Sequence, residues 1–369
     1  MTCKRPLQKP RLQPDMRDRF LPSRRVLAVT APSQRAYSER FLRHVEWLQC
    51  HAGAETAAMH LTYFPIGKNL RGLGTAIYRN VDLQRRTVIA PGNDAEEESL
   101  RTAGGPAWRP WLWSRIPRGQ LHNLGTGVDD PELGWPTYFL APTQAAAGAA
   151  ATACARPSGP CNDAKTDAIL RLAACTRYAF RPNAHMSRLL DAWKSRIDWN
   201  DAEPKLGIHL RRGDAASEDL QKQTRPSYPL EAYLATADRL CRRYGLRTLY
   251  LSTESELEIK RAQTWRPQYR FLWLPHDRGV FPRIGETAGF IEGVAFADPS
   301  VIEPLVHSAI ADLWFLQSCS AFIGTFNSEF SILAWLLCVG HNGHVIPYVN
   351  LAQRSVLECW QGNLEFLLY

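Results

Sequence analysis

The chain has 369 residues, 45% of them apolar, and a formal charge of +8. That is enough apolar side chain for a sizeable core, over a length that suggests two domains rather than one. Basic residues are spread along the chain, often in pairs (Arg24 and Arg25, Arg85 and Arg86, Arg211 and Arg212, Arg242 and Arg243), with no block of five like charges and no basic run interleaved with aromatics; this argues against nucleic-acid binding and leaves a nucleotide, another polyanion or a merely basic surface.

Residues 1–24 are rich in Pro and Arg and read as a disordered basic N-terminus. They contain no hydrophobic run of signal-peptide length, and no stretch of the chain has the length and apolarity of a membrane span, so the expectation is a protein soluble in the cytosol or a catalytic fragment without its anchor. Val26–Val29 reads as a short strand and Ser38–Gln49 as a helix. Leu61–Phe64 is a second short apolar run. It leads into Ile66–Tyr78 (I-G-K-N-L-R-G-L-G-T-A-I-Y), read as a glycine-rich turn opening a short helix, with Arg86–Ala90 as the next strand. A glycine turn at a helix start suits phosphate binding, but Gly67, Gly72 and Gly74 fit neither the Walker A loop nor G-x-G-x-x-G, so an ordinary turn is the simpler reading of the spacing.

Residues 91–135 are irregular, with an acidic patch at Glu96–Glu98 and tryptophans at 108, 111 and 113. The alanine-rich Gln144–Ala153 followed by Ala155–Pro160 marks an insertion or linker. From Asp167 the pattern becomes regular. Helices are expected over Asp167–Arg177, Pro229–Tyr244, Glu254–Gln263, Glu303–Ser318 and Asn327–Cys338, and strands over Leu206–Leu210, Arg247–Leu251, Phe271–Leu274, Ala321–Ile323 and His344–Ile346. Such alternation predicts an α/β fold with a doubly wound parallel sheet. Pro275–Ser300 is too long for an ordinary connection and reads as a substrate loop or lid.

The nine cysteines are odd in number and include no C-x-x-C pair, which argues against a structural zinc site. Cys154 and Cys161 bracket a Pro/Gly turn and could pair in an oxidising compartment. Cys241, Cys319 and Cys338 fall on apolar helix faces and read as core thiols. There is no N-x-S/T sequon.

Three places carry chemistry. In K-L-G-I-H-L-R-R-G-D (Lys205–Asp214) an apolar strand ends in two guanidinium groups and a glycine turn. Ligands bind at the carboxyl edge of open α/β sheets, and arginine forks match phosphate oxygens, so Arg211 and Arg212 are expected on a phosphate or pyrophosphate. In G-T-F-N-S-E-F (Gly324–Phe330) a second strand turns into a helix. Asn327 is read there as the cap, and Thr325 and Ser328 place hydroxyls near a helix N-terminus that favours anions. Asp312 lies at the border of an apolar helix stripe, where a carboxylate needs a partner. That partner is either the N1–H and N2–H₂ edge of a guanine or a nearby arginine or histidine.

The segments L-G-I-H-L-R-R-G-D, P-L-E-A-Y-L (Pro229–Leu234), L-Y-L-S-T-E (Leu249–Glu254) and A-D-L-W-F-L-Q-S-C-S-A-F-I-G-T-F-N-S (Ala311–Ser328) resemble, in order and spacing, the α1,6-fucosyltransferase family of N-glycan core and nodulation enzymes. L-R-G-L-G-T (Leu70–Thr75) and R-T-V-I-A resemble its glycine-rich loop and the following strand, and Phe180–Pro182 a further segment. The resemblance covers Ala179–Ile346 well and Leu61–Ala90 thinly, and does not extend to the C-terminal SH3-like domain of the animal enzyme.

The resemblance implies a GT-B-like fold of two Rossmann-like domains. Residues 25–178 would carry the glycine-rich loop and the acceptor side, and residues 179–369 would bind GDP-fucose. It implies metal-free inverting transfer of fucose to a glycan, in an α-1,6 linkage to GlcNAc, with no cofactor beyond the donor. By position, Arg211 falls on the donor β-phosphate, with Arg212 and Asp214 completing the turn. His209 and Asp312 fall where the family reads guanine, Ser328 on its phosphate-binding serine with Thr325 beside it, and Gly72 and Gly74 on the closing loop. The catalytic base falls at Asp219, where the family has glutamate, with Glu218 adjacent, and the choice between them is open. Ala215 stands where the family has lysine, and G-T-F-N-S-E-F-S lacks the cysteines that pair in the animal enzyme. Protein O-fucosyltransferases share the arginine motif, and a GDP-sugar-binding protein without turnover is a further alternative. The family points to the Golgi lumen, with the cytoplasm left open, and homodimerisation is likewise left open.

Overall fold

The computed structural model describes residues 21–50, 54–60, 66–90, 139–140, 164–212, 227–286, 294 and 298–352. Its organising element is strand β3 (Lys205–His209), buried at every position. Two strands lie on one side of it, β4 (Thr248–Ser252) and then β5 (Arg270–Leu272); on the other lie β6 (Ala321–Gly324) and then β7 (Tyr348–Asn350). All four pairings are parallel, with Ile208 opposite both Leu251 and Ile323.

The winding explains the helix positions. The chain steps outward from β3 to β5 through α5 (Leu230–Tyr244) and α6 (Glu256–Trp265), which pack Leu234, Leu240 and Ile259 onto Leu206, Ile208 and Leu251. It then crosses back through α7 (Ile302–Gln317) and runs through α8 (Glu329–Asn342). Right-handed crossovers put helices on the opposite face once the direction of winding reverses. The side chains of Tyr250 and Phe322 accordingly meet Phe315, Leu316 and Leu333 there. The expected doubly wound parallel sheet is present.

The preceding segment contains α1 (Arg24–Cys50), α2 (Ile66–Asp82), α3 (Ala164–Ala179), α4 (Ala184–Arg196) and a second parallel pair, β1 (Thr56–His60) with β2 (Arg86–Ala90). Helix α3 is buried nearly all round, as expected for a helix enclosed by others. One charge sits in that enclosure. Arg171 pairs with Asp82 and lies 5.2 Å from the Phe41 ring centre and 5.1 Å from that of Tyr78, so a single guanidinium ties α1, α2 and α3 together. Just before α1, the carbonyls of Leu21 and Pro22 accept from Arg243 and Tyr244 of α5. Among the described residues, no helix is long and apolar enough to cross a membrane. The described cysteines, Cys50, Cys175, Cys241, Cys319 and Cys338, are free thiols, with the three expected core positions buried.

Several expected elements shift. Val26–Val29 is helical, inside α1, which runs on through Pro32; four apolar residues do not distinguish a strand from a helix turn. The last strand lies at Tyr348–Asn350, beyond the expected His344–Ile346, and α4 was not anticipated. Leu61–Phe64, residues 91–135, the alanine-rich stretch, Cys154 and Cys161 lie outside the described residues, as do residues 287–293 and 295–297 of the expected lid.

The largest correction concerns the glycine-rich turn. Ile66–Asp82 is one continuous helix that includes Gly72 and Gly74. Leu70, Leu73, Ile77 and Val81 form one buried stripe at helical spacing. A methyl group added at Gly74 would lie 2.7 Å from Thr176 Oγ1 and 2.9 Å from Thr176 Cα. Glycine here is what lets α2 approach α3, and that packing outweighs the roughly 1 kcal/mol that glycine costs in a helix. Gly74→Val is therefore expected to destabilise the protein by roughly 1–3 kcal/mol. A lower midpoint in thermal or urea unfolding checks it, and an unchanged midpoint would restore an open loop at Gly74.

Candidate functional site

The winding reverses between β3 and β6, and open α/β sheets bind ligands in the crevice outside the carboxyl ends of the strands at such a point. One rim is the end of β3: His209, Leu210, Arg211 and Arg212. The other is the turn from β6 into α8: Gly324, Thr325, Phe326, Asn327 and Ser328. Ile208 pairs with Ile323 one residue before each strand ends, so the two rims are adjacent. Two of the three places picked out by chemistry thus converge.

The β6–α8 turn is fixed by side chains from its neighbours. Asn350 Oδ1, at the end of β7, accepts from Phe326 N at 2.8 Å and Ala352 N at 3.0 Å. Ser331 Oγ accepts from Thr325 N at 3.2 Å, and the Thr325 hydroxyl is hydrogen-bonded to that of Tyr233. The helix cap is Ser328, not Asn327. Its backbone is extended and it makes no side-chain capping bond; instead its amide donates to Thr325 O at 2.9 Å. Glu329 in the first turn sets one negative charge against the helix dipole.

The two arginines have different work. Arg212 Nε pairs with Glu258 at 2.9 Å, its Nη1 donates to Ser227 Oγ and to the carbonyls of Tyr228 and Arg211, and its backbone N–H donates to Glu254 Oε2 at 2.8 Å. Both partners of the ion pair are mostly buried. The expected phosphate contact is therefore corrected for Arg212: its guanidinium fastens β3 to the start of α6 and the segment before α5. Arg211 stands half-buried on the rim. Its charge adds to burial in pushing the His209 imidazole down to about 3, so His209 is neutral at physiological pH.

His209 and Asp312 share the α7–α8 face of the sheet. His209 Nδ1 lies 2.6 Å from Ser331 Oγ, and its ring packs 4.8 Å from the Phe330 ring centre. The Asp312 carboxylate accepts from the Tyr250 hydroxyl at 2.6 Å and from the Ser252 hydroxyl. Burial pushes it up to about 6, against the hydroxyl bonds and the Arg278 charge that favour ionisation. No arginine or histidine salt bridge to Asp312 exists among the described residues; hydroxyls of β4 hold it instead. Arg278 bridges the ends of β4 and β5 through the carbonyls of Thr253, Leu274 and His276.

Gly72 and Gly74 belong to helix α2 and do not form a turn facing a phosphate. Asp214, Ala215, Glu218 and Asp219 lie outside the described residues. Sequence reading missed Ser331, Tyr250, Asn350 and Arg278. A hydroxyl at the third position of a helix and a tyrosine in a strand carry no local signal of the partner they meet across the sheet.

No protein-family model matches the sequence, and no curated protein does. Among solved structures, the chain is similar to the NodZ alpha-1,6-fucosyltransferase soaked with GDP-fucose (16% identity over 81% of this chain and 96% of that one, TM-score 0.38). It is also similar to the fucosyltransferase NodZ from Bradyrhizobium (14%, 82% and 97%, 0.39) and to POFUT1 in complex with GDP (11%, 80% and 98%, 0.38). Likeness at that level carries no inference about activity.

Because the mostly buried Glu258 would keep only its longer ion pair to Arg261, at 4.0 Å, Arg212→Ala is expected to cost roughly 3 kcal/mol of stability. Arg211→Ala, at a half-buried rim position, is expected to cost less than Arg212→Ala. Chemical denaturation of the two variants side by side checks the division, and equal losses would refute it.

Proposed function

We propose that this protein is a fucosyltransferase that takes fucose from GDP-fucose and passes it to a glycan hydroxyl with inversion at the anomeric carbon. The observation that carries the reading is the crevice at the β3–β6 reversal, with Arg211 on one rim and the opening of α8 on the other. The four sequence segments that resemble α1,6-fucosyltransferases fall at the rims of that crevice and on the elements around it, which supports the same reading.

In this scheme the diphosphate lies across the rims. Arg211 and the first turn of α8, with Thr325 and Ser328, offset the charge that builds on the leaving GDP as the anomeric bond breaks. The resemblance implies that no metal shares this task. On the α7–α8 face, Asp312 accepts from guanine N1–H and N2–H₂, and His209 faces the same base. A carboxylate, Asp219 or Glu218, takes the proton of the acceptor hydroxyl as its oxygen attacks. The acceptor is a GlcNAc-bearing glycan by the same resemblance. Glycans and peptides are to be assayed side by side, since protein O-fucosyltransferases share the arginine motif.

Arg211→Ala is expected to abolish release of GDP from GDP-fucose in the presence of acceptor oligosaccharides, while GDP binding by calorimetry weakens and folding is kept. Full turnover in that variant would sink the reading. Transfer is also expected to persist in EDTA.

Asp312 adds a pH dependence. With its carboxyl held at about 6, GDP affinity should fall as pH drops through that value, because a protonated acid loses one acceptor for the guanine edge. Its effect on stability has the opposite sign. A raised folded pKa costs stability above about 6, and the cost is relieved as pH falls toward the ordinary carboxylate value of 3.8. Asp312→Asn should therefore weaken GDP binding, flatten its dependence around pH 6, and hold or raise the unfolding temperature at neutral pH. Unaltered GDP affinity would remove Asp312 from the site.

A further inference from the structure

Ser331 stands at the third position of α8, fully buried, and its hydroxyl has two partners among the described residues: Thr325 N at 3.2 Å and His209 Nδ1 at 2.6 Å. The Thr325 amide can only donate, so Oγ accepts there. The hydroxyl proton then has one acceptor within reach, His209 Nδ1. The opposite assignment, Nδ1–H donating to Oγ, would leave a buried hydroxyl proton with no acceptor, which folded proteins avoid. The imidazole is neutral, so with Nδ1 accepting, its proton is on Nε2. Nε2 has no hydrogen-bond partner among the described residues.

The backbone is shaped for this contact. A methyl group at Gly324 would lie 2.9 Å from Ser331 Oγ and 2.7 Å from the Phe322 ring, so only glycine lets the hydroxyl sit over the end of β6 and still reach β3.

We infer that Ser331 is a positioning residue, which locks His209 as an Nε2–H donor and binds the ends of β3 and β6 into a single rim. The consequence for ligand choice rests on the GDP-fucose reading above and deepens it. Guanine offers acceptors at O6 and N7, whereas adenine replaces O6 with an amino donor. A fixed N–H donor set against O6, together with the accepting carboxylate of Asp312, matches guanine and opposes adenine. Discrimination then depends on the tautomer of the histidine and not only on its presence.

The test uses the full-length protein with ¹⁵N-labelled histidine. Long-range ¹⁵N–¹H correlation spectra of the unliganded wild type should show the His209 ring as the Nε2–H tautomer at neutral pH. An Nδ1–H ring would overturn the inference whether or not GDP binds. In Ser331→Ala the ring should become a tautomeric mixture, and the ratio of GDP to ADP affinity should fall by about tenfold, the worth of one hydrogen bond. Ser331→Thr, which keeps the hydroxyl, should restore both. If Ser331→Ala keeps the wild-type tautomer and the wild-type ratio, the role is refuted. If Ser331→Ala does not fold, the wild-type spectrum and the threonine variant decide. Failure of the wild type to bind GDP would refute the donor reading and leave the lock standing on its spectrum.

Discussion

The site depends on a reversal of winding. Strand β3 has a parallel neighbour on each side, and the chain reaches those neighbours by crossovers that leave in opposite directions. Right-handedness of each crossover then sends α5 and α6 to one face and α7 and α8 to the other. The helices diverge at the carboxyl ends of β3 and β6, and among the described residues no helix crosses from one of these two strands to the other. Everything assigned to the crevice follows from residues whose place is set by it: Arg211 because β3 ends there, Ser328 because α8 begins there, and His209 and Asp312 because the face they share leads to it.

Two adjacent arginines illustrate how a strand end divides structure from chemistry. Neighbouring residues in extended chain point to opposite sides, so Arg211 and Arg212 cannot face one ligand in the same way. Arg212 turns to the α5–α6 side, where Glu258, Ser227 and two carbonyls absorb its donors. The backbone at this point is thereby held to Glu254 and Glu258, just beyond β4. The Arg211 guanidinium gains a fixed base from this; in the proposed transfer that matters, since a cation offsets a leaving group best when the protein has already positioned it.

The parallel sheet was legible from sequence because each strand is a short apolar run and each helix carries a one-sided stripe; α5 with Leu230, Tyr233, Leu234, Ala237 and Leu240 is the clearest case. Arg211 and the β6–α8 turn were legible because strand, turn and helix follow one another with no long insertion. The glycines of α2 were misread because local propensity sees the cost of glycine in a helix and not the Thr176 it accommodates. Arg212 was misread because its chemistry is identical to that of its neighbour, and only Glu258, 46 residues further on, separates their roles. Asp312 was recognised as an expensive charge, but its hydroxyl partners lie in β4, and no spacing rule connects α7 to them.

The stretch Gly324–Ser331 contains no cysteine, so nothing covalent holds it. Asn350, Ser331 and Tyr233 hold it from three elements, at Phe326 N, Thr325 N and the Thr325 hydroxyl respectively. Each bond is modest alone, but buried networks of this kind fail together when one member is unpaired. The Thr325 amide is engaged by Ser331 from within the same helix whose first turn faces the crevice. The same Ser331 hydroxyl commits this segment to His209 across the gap. The opening of α8 and the His209 ring across the gap are joined by a single hydroxyl, and this gives a physical reason for a serine at position 331 and a glycine at position 324.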